Sequence, residues 1–108
     1  MFEAKKKILC VCQEGNNRSV VLASVLKNEK QFDAIAIGIR KSSLETQTML
    51  FDWADIIILV DDTFKDEIPV RYVNKLKIWN VGQDRFFNGF NQELLNMYRQ
   101  FIRQEWPL

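Results

Sequence analysis

Apolar residues come in two rhythms along this chain, and their alternation predicts its elements. Ile8-Leu9-Cys10-Val11 is a short unbroken run that reads as a buried strand over residues 7–12. Val20-Val21-Leu22-Ala23-Ser24-Val25-Leu26 is long enough for a helix, which we place over 18–30. Ala34-Ile35-Ala36-Ile37, just before Gly38, marks strand two over 33–39. Ser42 and Glu45 have the spacing of a capping box, so helix two starts there, with Leu44, Thr48, Leu50, Phe51 and Ala54 as its expected buried stripe.

The strongest strand signal is Ile56-Ile57-Ile58-Leu59-Val60, whose five successive apolar residues suit a strand covered on both faces of a parallel sheet. Asp61-Asp62 then opens a short helical turn that ends before Pro69, with the first carboxylates acting as a cap rather than as a magnesium site. Lys75-Leu76-Lys77-Ile78-Trp79 reads as a fourth strand whose alternating lysines fit a sheet edge. A polar, aromatic loop covers 80–90, and the last helix begins near Asn91 with Leu94, Leu95, Tyr98, Phe101 and Ile102 on one face. Right-handed crossovers turn this order into an α/β fold of three layers, a doubly wound, four-stranded parallel sheet with spatial order 2-1-3-4. Ligands of such sheets bind beyond the carboxyl ends of the strands, near the switch point beside strand one, and Cys12 lies there.

Composition narrows the function. The chain has 108 residues, 47% of them hydrophobic, enough for one core, so a single domain over residues 1–108 is expected. Fifteen basic and 14 acidic side chains are scattered, which argues against a nucleic-acid partner, and Lys5-Lys6-Lys7 reads as a solvated approach to strand one. No apolar segment approaches the ~20 residues that cross a bilayer, and no signal-peptide layout is visible, so a cytoplasmic protein without a membrane partner is expected. Cys10 and Cys12 are too close for an ordinary structural disulfide and lack histidine partners for zinc; no metal or cofactor is expected. The chain contains no histidine at all, which excludes Ser-His and Cys-His catalysis. Any nucleophile must be activated by its surroundings.

The segment Cys12-Gln13-Glu14-Gly15-Asn16-Asn17-Arg18-Ser19 supplies such surroundings. A loop that wraps an oxyanion must turn successive N–H groups inward, and Gly15, Asn16 and Asn17 are the residue types that tolerate the required backbone. The helix that starts at Arg18 brings a partial positive charge that favours both a bound phosphate and an ionised thiol. The Arg18 guanidinium can hold two phosphate oxygens at once, which a lysine cannot. Ser19 either donates to the Cys12 sulfur or caps the helix. Cys10, inside the strand without a charged neighbour, reads as a packed core thiol.

This segment resembles the active loop of the low-molecular-weight protein tyrosine phosphatases: Cys, five residues, Arg, Ser at the end of strand one. Downstream, Val81-Gly82-Gln83-Asp84-Arg85-Phe86-Phe87-Asn88-Gly89 is similar to that family's Asp-Pro-Tyr-Tyr-Gly general-acid loop, and Trp53-Ala54-Asp55-Ile56-Ile57-Ile58-Leu59-Val60 fits its third strand. The resemblance implies a low-molecular-weight phosphatase-like (flavodoxin-like) fold and a phosphatase that passes through a phosphocysteine. Cys12 would attack phosphorus, Arg18 and the loop from Cys12 through Ser19 would hold the phosphate, and Asp84 would be the general acid. Phe86 and Phe87 would wall the substrate pocket. The implied substrate is a phosphorylated protein or a small phosphomonoester, phosphotyrosine or aryl phosphate first.

The chain departs from the family at Glu14 and Gly15, where Gly and Asn are usual, and at Arg85, which replaces a proline. Its second loop is little more than Gly38-Ile39-Arg40-Lys41, which implies a shallower site. Two rival readings stay open: a cysteine phosphocarrier of the phosphotransferase type, and a phosphate- or phosphoprotein-binding module of low turnover. An arsenate reductase of the same fold would need further cysteines, and none follows Cys12.

Overall fold

Residues Ile8 through Val11 are completely enclosed because the strand they form has neighbours on both edges and helices on both faces. The computed structural model describes residues 5–13, 17–82 and 91–107. Its elements are β1 (Lys7–Cys12), α1 (Arg18–Lys30), β2 (Asp33–Gly38), α2 (Leu44–Trp53), β3 (Ile56–Leu59), two 3-10 segments (Asp62–Glu67 and Val70–Lys75), β4 (Leu76–Ile78) and α3 (Gln92–Glu105). All strand pairs are parallel, in the expected order β2-β1-β3-β4.

The two-residue period of β1 divides the core. Ile8, Cys10 and Cys12 pack with Val21, Leu22, Val25 and Leu26 of α1 and with Leu94, Tyr98 and Ile102 of α3. Leu9 and Val11 point the other way, against Phe51 of α2, Phe64 and Tyr72 of the 3-10 segments, and Ile68 between those segments. Each fully buried Leu or Ile side chain contributes about 1.5–3 kcal/mol, so the two layers together drive folding. Trp79 stacks on Phe101 at 5.3 Å between centroids and meets Trp106 edge-on, closing the α3 side as packing residues.

Helix two corrects the sequence reading. Its cap is Ser43, whose hydroxyl accepts from the Thr46 N–H at 3.1 Å, and not Ser42. Leu44 is 80% exposed and Thr48 is exposed too; the buried stripe is Gln47, Phe51 and Ala54, with Leu50 half-buried. These positions keep the i, i+3, i+4, i+7 spacing, but a polar residue holds one of them. Gln47 earns burial through its amide, which donates to the carbonyls of Ile39 (2.9 Å) and Ser42 (3.1 Å) and so pins the β2–α2 turn. Ser42 instead donates to the Gly38 carbonyl at 2.8 Å.

Strand four is shorter than the 75–79 expected, and the 3-10 segment Val70–Lys75 before it was not foreseen. Lys77 of this edge strand pairs with Glu105 of α3 at 3.0 Å, and Lys75 donates to the Ala54 carbonyl at 2.7 Å. The last helix starts as read: Asn91 caps it by accepting from the Glu93 and Leu94 N–H groups. Among the described residues no helix is long and apolar enough to cross a membrane.

Candidate functional site

At the carboxyl end of β1 the chain loses its neighbours in an orderly way. The Ile39 N–H donates to the Cys12 carbonyl at 2.8 Å and the Arg40 N–H to the Gln13 carbonyl at 2.9 Å, so the turn after β2 is stitched to the start of the loop. On the other side the Val60 N–H donates to the Val11 carbonyl at 3.1 Å. The β1 terminus is thus a fixed platform.

Cys12 is 2% exposed, and its sulfur lies 3.0 Å from the Ser19 hydroxyl in the first turn of α1. The helix cap is Asn17, whose side chain makes no capping bond. Of the two roles open to Ser19, contact with the sulfur is the one observed.

Arg18 is 2% exposed although it opens α1. Its Nη1 donates both to Asp61 Oδ2 at 3.0 Å and to the Gly82 carbonyl at 2.7 Å. Its Nε is buried without a hydrogen-bond partner. Its own carbonyl accepts from the Tyr98 hydroxyl at 2.8 Å, which ties the helix start to α3.

Asp61 follows β3 and has separate work for each oxygen. Oδ1 accepts from the Thr63 N–H at 2.9 Å, the expected helix cap, while Oδ2 meets Arg18. Burial pushes its carboxyl up, but the Thr63 N–H and the Arg18 guanidinium outweigh that and hold it below the usual carboxylate range. The sequence reading missed this pair. A signal was present: a buried arginine needs a counter-charge, and in the parallel register Leu59 lies opposite Val11, so an acid just past β3 lies beside the end of β1.

Gly82 takes a positive φ of 86°, where a side chain would be strained, and its N–H donates to Asn80 Oδ1 at 2.9 Å. That turn aims its carbonyl at Arg18. Cys10 is the packed core thiol expected: it is fully enclosed, and burial pushes its ionisation far above the ordinary thiol range. Arg40 and Lys41 are exposed at the same end of the sheet as the platform.

Cys12 and Ser19 therefore meet, Arg18 opens α1 just before Ser19 with its guanidinium on Asp61 and Gly82, the Gln13 carbonyl is tied to Arg40, and Asn17 is at the helix cap. Glu14, Gly15 and Asn16 of the loop, and Asp84, Phe86 and Phe87 of the expected acid loop, lie outside the described residues. A groove of about 460 Å³ between the last turns of α1 and α3, lined by Glu29, Lys30, Ile102 and Trp106, sits at the other end of α1 from Arg18 and takes no part in this site. Comparison with protein-family models, with curated proteins and with solved structures found no match to the chain.

Proposed function

We propose that this protein is a cysteine-dependent phosphatase of the low-molecular-weight protein tyrosine phosphatase type, acting on phosphomonoesters such as phosphotyrosine or aryl phosphates. One observation carries the reading. An enclosed guanidinium with an unsatisfied Nε stands immediately before the serine that touches the Cys12 sulfur, at the end of the first strand of a 2-1-3-4 parallel sheet. A buried donor without an acceptor is costly, and a tetrahedral oxyanion would relieve that cost.

In the proposed reaction the Cys12 thiolate attacks phosphorus and the bond to the leaving oxygen breaks, giving a phosphocysteine. Asp84 gives its proton to the leaving oxygen. It then takes a proton from water as that water attacks phosphorus, the S–P bond breaks, and phosphate departs with the thiolate restored. Ser19, 3.0 Å from the sulfur, is placed to donate to the returning thiolate. Arg18 follows the charge of the equatorial oxygens through both steps.

Release of inorganic phosphate from an aryl phosphate by the purified chain tests this. Turnover is expected, with Cys12→Ser abolishing it and Asp84→Asn lowering kcat by about 10²- to 10⁴-fold while phosphate binding persists. Stoichiometric phosphorylation of Cys12 without release would replace the hydrolase by a phosphocarrier. Phosphate binding without turnover would leave a binding module.

A further inference from the structure

We infer that Asp61 is the positioning residue of this site: together with the Gly82 carbonyl it occupies Nη1 of Arg18 and so presents the Nε edge of the guanidinium to a tetrahedral oxyanion at the carboxyl end of β1. The inference rests on the phosphate-type reading of the site and adds to it what aims the arginine.

A guanidinium carries five N–H groups in one plane, and only an edge with two parallel N–H groups grips an oxyanion bidentately. Nη1 has two hydrogens, and the structure gives each an acceptor: Asp61 Oδ2 at 3.0 Å and Gly82 O at 2.7 Å. Nε is buried and unpartnered on the opposite edge of the plane, and that edge is the one we assign to a ligand. An arginine 2% exposed cannot swing to find a partner in water, so its orientation is set by what holds Nη1.

Asp61 is more than the cap of the segment that follows it. Capping uses Oδ1 alone, and an asparagine would cap as well. The second oxygen, directed at Arg18, is what requires an aspartate, because an amide nitrogen there would face another donor. Gly82 completes the clamp from a different segment, its carbonyl oriented by a positive φ and by the bond from its N–H to Asn80. Arg18 is therefore gripped from the chain after β3 and from the chain after β4 at once, and Asp84 follows Gly82 by two residues.

The test is a double-mutant cycle on the full chain, with orthophosphate and orthovanadate as ligands. Asp61→Asn is expected to weaken binding about tenfold to a hundredfold, the loss typical of removing the partner that orients a ligating side chain. In an Arg18→Ala background the same substitution is expected to add no further loss, because Asp61 acts through Arg18. Unchanged affinity in Asp61→Asn, or equal losses in both backgrounds, would overturn the inference. Should Asp61→Asn fail to fold, the wild type decides by nitrogen-15 NMR of the arginine side chains. Added phosphate is expected to shift the Arg18 Nε–H and slow its exchange with water, and an unmoved Nε–H in a protein that binds phosphate would sink the proposal. A wild type that binds neither anion instead removes the phosphatase reading on which this rests.

Discussion

Cys10 and Cys12 stand two positions apart on the same face of one strand and live in different chemistry. Cys10 lies in register between Ala36 of β2 and Ile58 of β3, fully enclosed in the core, whereas Cys12 ends the strand against the Ser19 hydroxyl. The thiol of Cys10 is held protonated by burial, so in the folded chain it keeps its proton where the unfolded chain gives it up. The sign follows: this group costs no stability below the ordinary thiol value near 8.5 and destabilises the fold as pH rises above it. Urea unfolding of wild type and Cys10→Ala at pH 7 and pH 10 should therefore show the gap between them narrowing by about 2 kcal/mol at the higher pH. A constant gap would mean that Cys10 ionises in the native state. The contrast between the two cysteines was legible in the sequence, because one ends its apolar run and the other is flanked by it.

At the scale of elements, α1 carries the site at one end and a strained residue at the other. Gln31 closes the helix with φ 61°, a left-handed conformation that ordinary side chains adopt at a cost. Its N–H and that of Phe32 both return to the Leu26 carbonyl, the arrangement in which glycine is the preferred residue. Gln31→Gly should stabilise the chain by about 0.5–1 kcal/mol, read as a rise of a few degrees in Tm. A fall in Tm would show that the glutamine side chain, which donates to the Asn28 carbonyl at 3.2 Å, outweighs the backbone strain. Elements with unbroken apolar runs or side-chain caps were readable to within a residue, β1, α1 and the start of α3 among them. The stripe of α2 was not, because Gln47 looks polar by type and is buried by its bonds to a turn that lies outside the helix.

For the molecule as a whole, strand order followed from the handedness of crossovers, a rule that needs only the sequence of elements. The local half of the candidate site, the contact of Cys12 with Ser19 next to Arg18, was readable for the same reason that motifs are: its parts are neighbours in the chain. Its distant half was not. Asp61 and Gly82 meet Arg18 only through tertiary structure, and Tyr98 reaches the Arg18 carbonyl from the middle of α3. That last bond is where the final helix closes on the site. Tyr98→Phe keeps the packing and removes the donor, so it should lower unfolding stability by about 1 kcal/mol in urea titrations. A loss of several kcal/mol would mean that the hydroxyl supports more than this carbonyl.

Arg18 touches residues 43, 64 and 80 positions further along the chain. These separations carry a kinetic meaning. Loops of that length close late, after the entropy of the intervening chain has been overcome, so the motif exists from the start of folding while its arginine stays unaimed until Asp61 and Gly82 reach it, and its helix start stays untied until the last helix docks. During synthesis the nascent chain would display Cys12 and Arg18 long before Tyr98 leaves the ribosome. Anion binding thus reports completion of the fold rather than presence of the motif.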